Sequence, residues 1–153
     1  MSTKASEFIE ILDMSLIDLD CVYELEFNTY DYPWTRNIIK DCIINKYDCY
    51  IAKNQTVIGY AISKITSIDS HILNLTVDKK YRNMGIASSF IEMIISKAKT
   101  YNSNSIFLET RASNLAAKKL YEKYGFKSID IRKNYYKTFH GREDAIIYRK
   151  VLI

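Results

Sequence analysis

A single carboxylate interrupts an apolar, strand-like segment in the second half of the chain. Glu109 follows the apolar residues 106–108, and strand alternation places Phe107, Glu109 and Arg111 on one face. A carboxylate in such surroundings must be paired, solvated or shifted in pKa. Two interpretations stay open: an ion pair or a solvent-facing position on the one hand, and a general base on the other.

Two polar side chains on the next predicted helix are spaced so that both can point towards one ligand. Asn114 and Tyr121 are seven residues apart, which is two helical turns. A helical tyrosine often belongs to the core. Its hydroxyl, with a reference pKa of about 10, also suits the protonation of a departing thiolate. That role requires a thioester substrate.

The segment 81–87 has the composition of an anion-binding turn. It lies between a strand-like stretch, residues 72–77, and an amphipathic helix that starts near Ile86. The first N–H groups of a helix have no internal partner, and the helix dipole is positive at that end. Gly85 permits close approach of the backbone, and Lys79, Lys80 and Arg82 add positive charge. The alternatives are a phosphate-binding loop and an ordinary basic turn.

A polar and aromatic hairpin is predicted at residues 134–144. Its tyrosines can hydrogen-bond an extended peptide, or they can cover the edge of a sheet. The two histidines of the chain, His71 and His140, have no evident ligand partners in the sequence and are expected to be structural or exposed.

The composition predicts one globular domain over residues 1–153. The chain is 48% hydrophobic and 26% charged, and its single proline and four glycines argue against linkers. The net charge of +4 comes from lysines interspersed with acids, so direct nucleic-acid binding is not indicated. No segment has the length or composition of a signal peptide or a membrane span, which predicts a cytoplasmic protein without membrane association.

The cysteines predict neither a metal site nor disulfides. Cys21, Cys42 and Cys49 lack C-x-x-C spacing, and two histidines do not complete a zinc set. They are interpreted as reduced core thiols, and no metal is expected.

Hydrophobic periodicity predicts a mixed sheet with helices on both faces, in the order β-α-α-β-β-β-α-β-α-β-β. Residues 15–28 form the first helix, with Ser15 as N-cap and an apolar face of Leu16, Leu19, Val22, Tyr23 and Phe27. A short second helix contains residues 38–43, a third follows Ile86, and a fourth is capped by Ser113 or Asn114 and ends at Tyr124 before Gly125. The predicted strands are residues 8–12, 49–53, 57–65, 71–77, 105–111, 126–132 and 145–152.

Together these motifs resemble the GNAT superfamily of acetyl-CoA-dependent N-acetyltransferases. Residues 82–87, Arg-Asn-Met-Gly-Ile-Ala, match the superfamily's pyrophosphate loop, Q/R-x-x-G-x-G/A. Residues 108–126, 132–136 and 141–145 resemble the RimI type of ribosomal-protein N-terminal acetyltransferase and its relatives, the catalytic subunits of the NatA class. The close resemblance runs from Leu75 to Ile153. Ala87 replaces a frequent second glycine, and residues 137–140 do not follow the pattern.

The resemblance implies an α/β fold of GNAT type, with a mixed, mostly antiparallel sheet of about seven strands flanked by four helices. It implies transfer of the acetyl group of acetyl-CoA to the N-terminal α-amine of a protein, with ribosomal proteins among the candidate substrates, an auxiliary subunit as a candidate partner and no metal. Two alternatives remain: acetylation of a lysine side chain or a polyamine on the same fold, and a CoA-binding protein without catalysis.

The resemblance also implies roles for individual residues. Glu109 would be the general base, acting directly or through water, and Tyr121 the general acid. Residues that would bind the cofactor are Leu75, Thr76, Val77, Arg82, Asn83, Met84, Gly85, Ile86, Ala87, Ser88, Asn114 and Tyr121. Residues that would line the groove for the substrate N-terminus are Tyr32, Pro33, Trp34, Tyr135 and Tyr136.

Overall fold

The computed structural model describes residues 8–153 and contains the predicted elements in the predicted order. Two single-turn 3₁₀ helices, Leu16–Asp18 and Lys79–Tyr81, precede α1 and α3. The helices are α1 (Leu19–Thr29), α2 (Arg36–Ile44), α3 (Ile86–Thr100) and α4 (Leu115–Lys123). The strands are β1 (Glu10–Asp13), β2 (Asp48–Lys53), β3 (Val57–Lys64), β4 (Asp69–Val77), β5 (Ser105–Arg111), β6 (Lys127–Thr138) and β7 (Gly141–Val151).

The seven strands form one sheet in the order β1-β2-β3-β4-β5-β7-β6. The pairs β1–β2, β5–β7 and β6–β7 are antiparallel, whereas β4 and β5 are parallel. A parallel pair needs a long crossover connection, and α3 lies in the connection between β4 and β5. The predicted mixed sheet of about seven strands with four helices is therefore confirmed.

The described chain divides by its internal contacts into two units. The first contains residues 8–62 and Asn74–Phe90, and the second contains Ser63–Leu73 and Ile91–Ile153. The core of the first unit is formed by buried side chains of α1, α2, β2 and β3, among them Leu19, Val22, Ile39, Ile51 and Ile62.

The buried face of α1 differs from the prediction. Phe27 is 59% exposed, whereas its neighbour Glu26 is only 2% exposed. Leu16 lies in the preceding 3₁₀ turn and is exposed as well. Helical spacing explains the difference, because Glu26 follows Leu19 by seven residues and Val22 by four, which places it on their face. A carboxylate thus occupies a core position that an apolar residue would normally fill.

The two thiols of Cys42 and Cys49 lie in the core, but Cys21 is exposed, so the prediction of three core thiols is wrong for Cys21. Burial raises the pKa of Cys42, and burial raises that of Cys49 to about 12. A raised pKa leaves almost no thiolate at neutral pH, and the thiolate is the reactive form.

We expect iodoacetamide at pH 8 to modify Cys21 alone in the folded protein, as counted by intact mass. Modification of all three thiols without denaturant would contradict the burial of Cys42 and Cys49.

The C-terminal hairpin is longer than predicted. β6 and β7 extend to Thr138 and from Gly141, so Phe139 and His140 form the turn and the aromatic segment belongs to a strand. The register between the strands shifts between Arg132 and Tyr136, and Asn134 in this bulge has a φ of 52°. The Asn134 amide nitrogen donates a hydrogen bond to Asp144 Oδ1 at 2.9 Å, which holds the bulge to β7. A bulge of this kind re-aims the side chains that follow it.

Candidate functional site

The turn before α3 has the geometry that the anion-binding motif requires. Gly85 has a φ of +83°, in the left-handed region that favours glycine, and a Cβ atom there would meet nothing within 4 Å. Backbone conformation, rather than space, therefore demands the glycine. The helix begins at the next residue, Ile86, so the first amide groups of α3 face out of the turn without an intrahelical acceptor.

Two side chains fasten this basic turn to the end of β4. Asp78 accepts a hydrogen bond from the Lys80 amide nitrogen at 2.9 Å, which caps the 3₁₀ turn. Arg82 Nε donates to the carbonyl oxygen of Val77 at 3.2 Å. The exposed side chain of Arg82 is therefore held by its Nε beside the last residue of β4.

The end of β4 directs two backbone amides away from β3. The Asp78 amide nitrogen donates to the Ile58 carbonyl at 2.8 Å, and the Thr76 carbonyl lies 3.1 Å from the position of a Cβ at Gly59, so both point towards β3. Because backbone groups alternate along a strand, the N–H groups of Leu75 and Val77 point to the opposite edge. A ligand with carbonyl oxygens can use these two donors.

Glu109 lies in the middle of β5 and belongs to a charged and aromatic cluster of the second unit. Its side chain is 20% exposed, and Oε1 lies 3.6 Å from Nη1 of Arg132. The burial pattern of β5 alternates as predicted, with Glu109 on the less buried face. Burial lowers the pKa of His71, and the carboxylate of Glu109 opposes this shift. His71 is thus largely neutral at pH 7, and Glu109 has both a cation and a neutral imidazole nearby.

Tyr135 and Tyr136 each lie against an arginine. The guanidinium carbon of Arg132 is 5.5 Å from the centre of the Tyr135 ring, and that of Arg111 is 4.6 Å from the centre of the Tyr136 ring. The two tyrosine rings are nearly perpendicular, with centroids 4.9 Å apart. Burial raises the pKa of Tyr136 to about 12, and the negative charge of Glu109 adds to the shift. The Tyr136 hydroxyl is therefore a neutral hydrogen-bonding group over the physiological range.

A second ion pair fixes the end of β5 to β7 and to the start of α4. Arg111 Nη1 lies 3.2 Å from Glu143 Oε2 and also donates to the Lys137 carbonyl at 2.8 Å. The other oxygen of Glu143 accepts from the amide nitrogen and the hydroxyl of Ser113, at 3.0 and 2.7 Å. The strand that carries Glu109 and the helix that carries Tyr121 are therefore joined through one carboxylate.

Tyr121 is held by the way α4 ends. The Phe126 amide nitrogen donates to the Tyr121 carbonyl at 3.1 Å, and the Gly125 amide nitrogen donates to the Glu122 carbonyl at 3.0 Å. With Gly125 at a φ of +86°, these two bonds form a Schellman motif, which confirms the predicted C′ glycine. The Tyr121 ring packs edge-on against Phe126, with centroids 5.5 Å apart, and at a tilt of 38° against Tyr148, with centroids 6.5 Å apart, and Tyr121 is 6% exposed.

Asn114 is the N-cap of the same helix. Its side-chain carbonyl accepts a hydrogen bond from the Ala117 amide nitrogen at 3.1 Å, so of the two predicted capping residues Asn114 performs this role. Substituting an N-cap asparagine by alanine typically costs about 1 kcal/mol. Asn114 thus has a structural role in the described part of the chain, and its predicted contact with CoA stays a prediction.

The aromatic segment 30–34, called here the aromatic loop, connects α1 to α2 in the first unit. Trp34 packs against the core of that unit, whereas Tyr32 is 42% exposed. The Trp34 amide nitrogen donates to Glu26 Oε2 at 2.9 Å. The loop is therefore exposed at Tyr32 and packed against the core at Trp34, and exposed loops on a rigid scaffold often contact ligands.

The predicted site residues therefore fall into two clusters, one in each unit. In the second unit, Glu109 and Tyr136 come together with Arg111 and Arg132, which the sequence interpretation had not assigned to the site. The first unit contains the aromatic loop, residues 75–88 and Glu26, and the sequence interpretation had not assigned Glu26 to the site either. The signal for Glu26 was its position on the apolar face of α1, at core spacing from Leu19.

The described part of the chain, residues 8–153, contains no group of three or more His, Cys, Asp or Glu side chains placed to hold a metal ion. None of its helices combines the length and the apolar character needed to cross a membrane.

Comparison with known sequences places these features in a family. The sequence profile of the acetyltransferase (GNAT) family matches residues 12–126. The ribosomal protein bS18-alanine N-acetyltransferase of Escherichia coli strain K12 is 32% identical over 138 residues, which are 90% of this chain and 93% of that protein. The enzyme of the same name from Haemophilus influenzae is 31% identical over 139 residues, with 90% and 94% coverage.

Solved structures have the same fold. The crystal structure of the ribosomal-protein-S18-alanine N-acetyltransferase from Escherichia coli superimposes with a TM-score of 0.88 at 30% identity, over 95% of this chain and 94% of that chain. Arabidopsis thaliana NAA60, crystallised in complex with acetyl-CoA, gives a TM-score of 0.85 over 95% and 99% of the two chains. Its identity of 15% supports likeness of fold alone.

Proposed function

Because the chain belongs to the acetyltransferase (GNAT) family, we propose that it transfers the acetyl group of acetyl-CoA to the N-terminal α-amine of a protein. The observation that carries this proposal is the likeness, over nine tenths of the chain, to enzymes named for acetylating the alanine of ribosomal protein bS18. A ribosomal protein N-terminus is therefore the proposed acceptor, and the cytoplasm the proposed compartment.

An α-amine suits the modest base that the site offers. Its reference pKa is near 8, so freeing the lone pair at pH 7 costs about 1 kcal/mol, against about 4 to 5 kcal/mol for a lysine with a pKa near 10.4. A carboxylate such as Glu109, paired with a half-exposed arginine, can accept the proton that the amine loses on attack.

In the proposed reaction the amine nitrogen attacks the thioester carbonyl carbon, so a C–N bond forms and the C–S bond breaks. Glu109 accepts the proton of the amine, directly or through one water molecule. Tyr121 donates its phenolic proton to the departing sulfur, and the proton taken up by Glu109 then returns through solvent to the Tyr121 phenolate. The amide donors of Leu75 and Val77 are proposed to stabilise the developing oxyanion.

The cofactor is proposed to lie along the end of β4 and the turn before α3. The first amides of α3 and the guanidinium of Arg82 fit a pyrophosphate in charge and in donor count. Gly85 has no side chain, so a phosphate group can approach these amides closely. Residues 82–88 would therefore hold the phosphates, while residues 75–77 would hold the acetyl and pantetheine part. Asn114 is proposed to add a contact from the start of α4.

The test of this function is mass spectrometry of peptides incubated with the protein and acetyl-CoA. The set compares free Ala-, Ser- and Met-initiated peptides with N-blocked peptides that contain lysine. Acetylation confined to free N-termini would support the proposal and give the first-residue preference. Acetylation of the blocked peptides would replace it with lysine acetylation. Absence of product would direct the search to a protein partner or to a non-peptide acceptor.

We expect the double substitution Tyr135→Phe, Tyr136→Phe to raise the peptide KM about tenfold. Burial keeps the hydroxyl of Tyr136 protonated, and each lost hydrogen bond to a bound peptide costs about 0.5–1.5 kcal/mol. The rings and their arginine contacts remain, so the fold is kept. Steady-state kinetics with both substrates varied measures the effect, with Tyr101→Phe as the matched control. A larger change in the acetyl-CoA KM than in the peptide KM would place the peptide elsewhere.

A further inference from the structure

Glu26 is a buried carboxylate on which several hydrogen bonds converge. It is 2% exposed and lies in the last turn of α1. Oε1 accepts from the hydroxyl of Tyr60 and from Asn74 Nδ2, the latter at 3.2 Å, and Oε2 accepts from the Trp34 amide nitrogen at 2.9 Å. The ion pairs found within residues 8–153 do not include Glu26, so donors rather than a cation satisfy its charge.

The hydrogen bonds continue from Asn74 to the other end of the aromatic loop. Thr76 Oγ1 donates to Asn74 Oδ1 at 2.8 Å. A hydroxyl has one proton, so the 2.9 Å contact between Tyr30 and Thr76 must have Tyr30 as its donor. The donors thus run in one direction, from Tyr30 through Thr76 and Asn74 to Glu26. An acceptor-only carboxylate at the end of the chain sets this direction.

The electrostatics of the neighbouring phenols agree with that direction. Burial raises the pKa of Tyr60, and the negative charge of Glu26 adds to the shift. Burial also raises the pKa of Tyr30, again with a contribution from Glu26. Both phenols therefore keep their protons and act as donors.

We propose that Glu26 is a positioning residue for the acceptor substrate, because its carboxylate holds both ends of the aromatic loop on β3 and β4. Trp34 is attached directly, and Tyr30 is attached through Thr76 and Asn74. Between them lie Tyr32 and Pro33, which the resemblance to the GNAT superfamily implies line the groove for the substrate N-terminus. This inference rests on the proposed function for its substrate, but the arrangement of the loop can be measured without turnover.

Glu26→Gln is the decisive substitution. Glutamine has nearly the same size but presents an NH₂ group to one set of donors, so either the Trp34 amide or the pair Tyr60 and Asn74 loses its acceptor. Glu24→Gln is the matched control, because Glu24 is exposed on the same helix. Tyr30→Phe is a milder second variant that removes only the tether at the first residue of the loop.

Trp34 provides the readout, because it is the single tryptophan of the chain and lies within the loop. With excitation selective for tryptophan, we expect Glu26→Gln to shift the emission to longer wavelength and to increase quenching by acrylamide. Tyr30→Phe should do so to a smaller degree, and Glu24→Gln should match the wild type. Unchanged emission and quenching in both Glu26→Gln and Tyr30→Phe would overturn the proposal.

Steady-state kinetics then test whether the aromatic loop positions the acceptor substrate. We expect Glu26→Gln to raise the peptide KM about tenfold, the factor that follows from losing one charge-assisted hydrogen bond, and to leave the acetyl-CoA KM within about twofold. Altered fluorescence with an unchanged peptide KM would overturn the positioning role. If the wild type acetylates no free N-terminus, the proposed function itself fails, and the fluorescence result still decides whether Glu26 holds the loop.

Discussion

Glu109→Gln should lower kcat/KM for a free peptide N-terminus by about 10²- to 10³-fold at neutral pH, the range typical of losing a general base. The substitution keeps the shape of the side chain and removes its ability to accept a proton. Its ion pair with Arg132 is partly exposed, at 3.6 Å, so the loss of that pair should change the free energy of unfolding by less than about 1 kcal/mol. A large kinetic effect would therefore occur in a folded enzyme.

Two further variants separate the base from its ion pair. Arg132→Gln removes the cation and keeps the carboxylate, so it should lower kcat/KM far less than Glu109→Gln. Glu10→Gln changes an exposed carboxylate of β1 and should have no effect. Steady-state rates with thermal melting of each variant make the comparison. Wild-type acetylation by Glu109→Gln would remove Glu109 from the role of base while leaving the family assignment intact.

Tyr121→Phe should lower kcat by about 10²-fold and leave the acetyl-CoA KM nearly unchanged. The hydroxyl is the proposed proton donor to the sulfur, whereas the ring is what packs against Phe126 and Tyr148. Phenylalanine preserves that packing, so the free energy of unfolding should fall by only about 1 kcal/mol for the lost hydroxyl. The kinetic and the structural roles of this residue are thereby separable in one substitution.

Tyr124→Phe is the matched control for Tyr121→Phe. Tyr124 caps the same helix, and its hydroxyl donates to Glu92 at 2.8 Å on the exposed side. We expect its kcat to equal that of the wild type. If Tyr121→Phe and Tyr124→Phe both retain wild-type kcat, the thiolate must be protonated by another group or by water.

Local sequence signals predicted the elements whose determinants are themselves local. β5 has the predicted bounds, because its alternation of apolar and polar residues over 105–111 is read from one segment. The end of α4 was predictable from Gly125, since the residue that follows a helix often has the left-handed conformation, which glycine adopts most easily. The turn before α3 was predictable for the same reason, through Gly85.

The remaining features depend on partners distant in the chain. The strands β6 and β7 were predicted too short, because residues 133–138 and 141–144 are polar and aromatic, as a turn region is, and backbone pairing between the two strands defines them as strand. Glu26 was missed because the groups that make its burial tolerable, Tyr60 and Asn74, are 34 and 48 residues away. Periodicity identifies a buried position, but it does not reveal which polar groups satisfy a charge there.

The strand order β5-β7-β6 has a consequence for biosynthesis. β7 lies between two strands that are both made before it, so β5 has no neighbour on that side until residues 141–151 have been synthesised. Until then β5 presents an open edge, with the pairing hazard that such edges carry in a nascent chain. Glu109 and Arg132, on β5 and β6, meet only after β7 has entered between their strands. The ion pair between these two side chains therefore forms in a late step, after residues 141–151 have been synthesised.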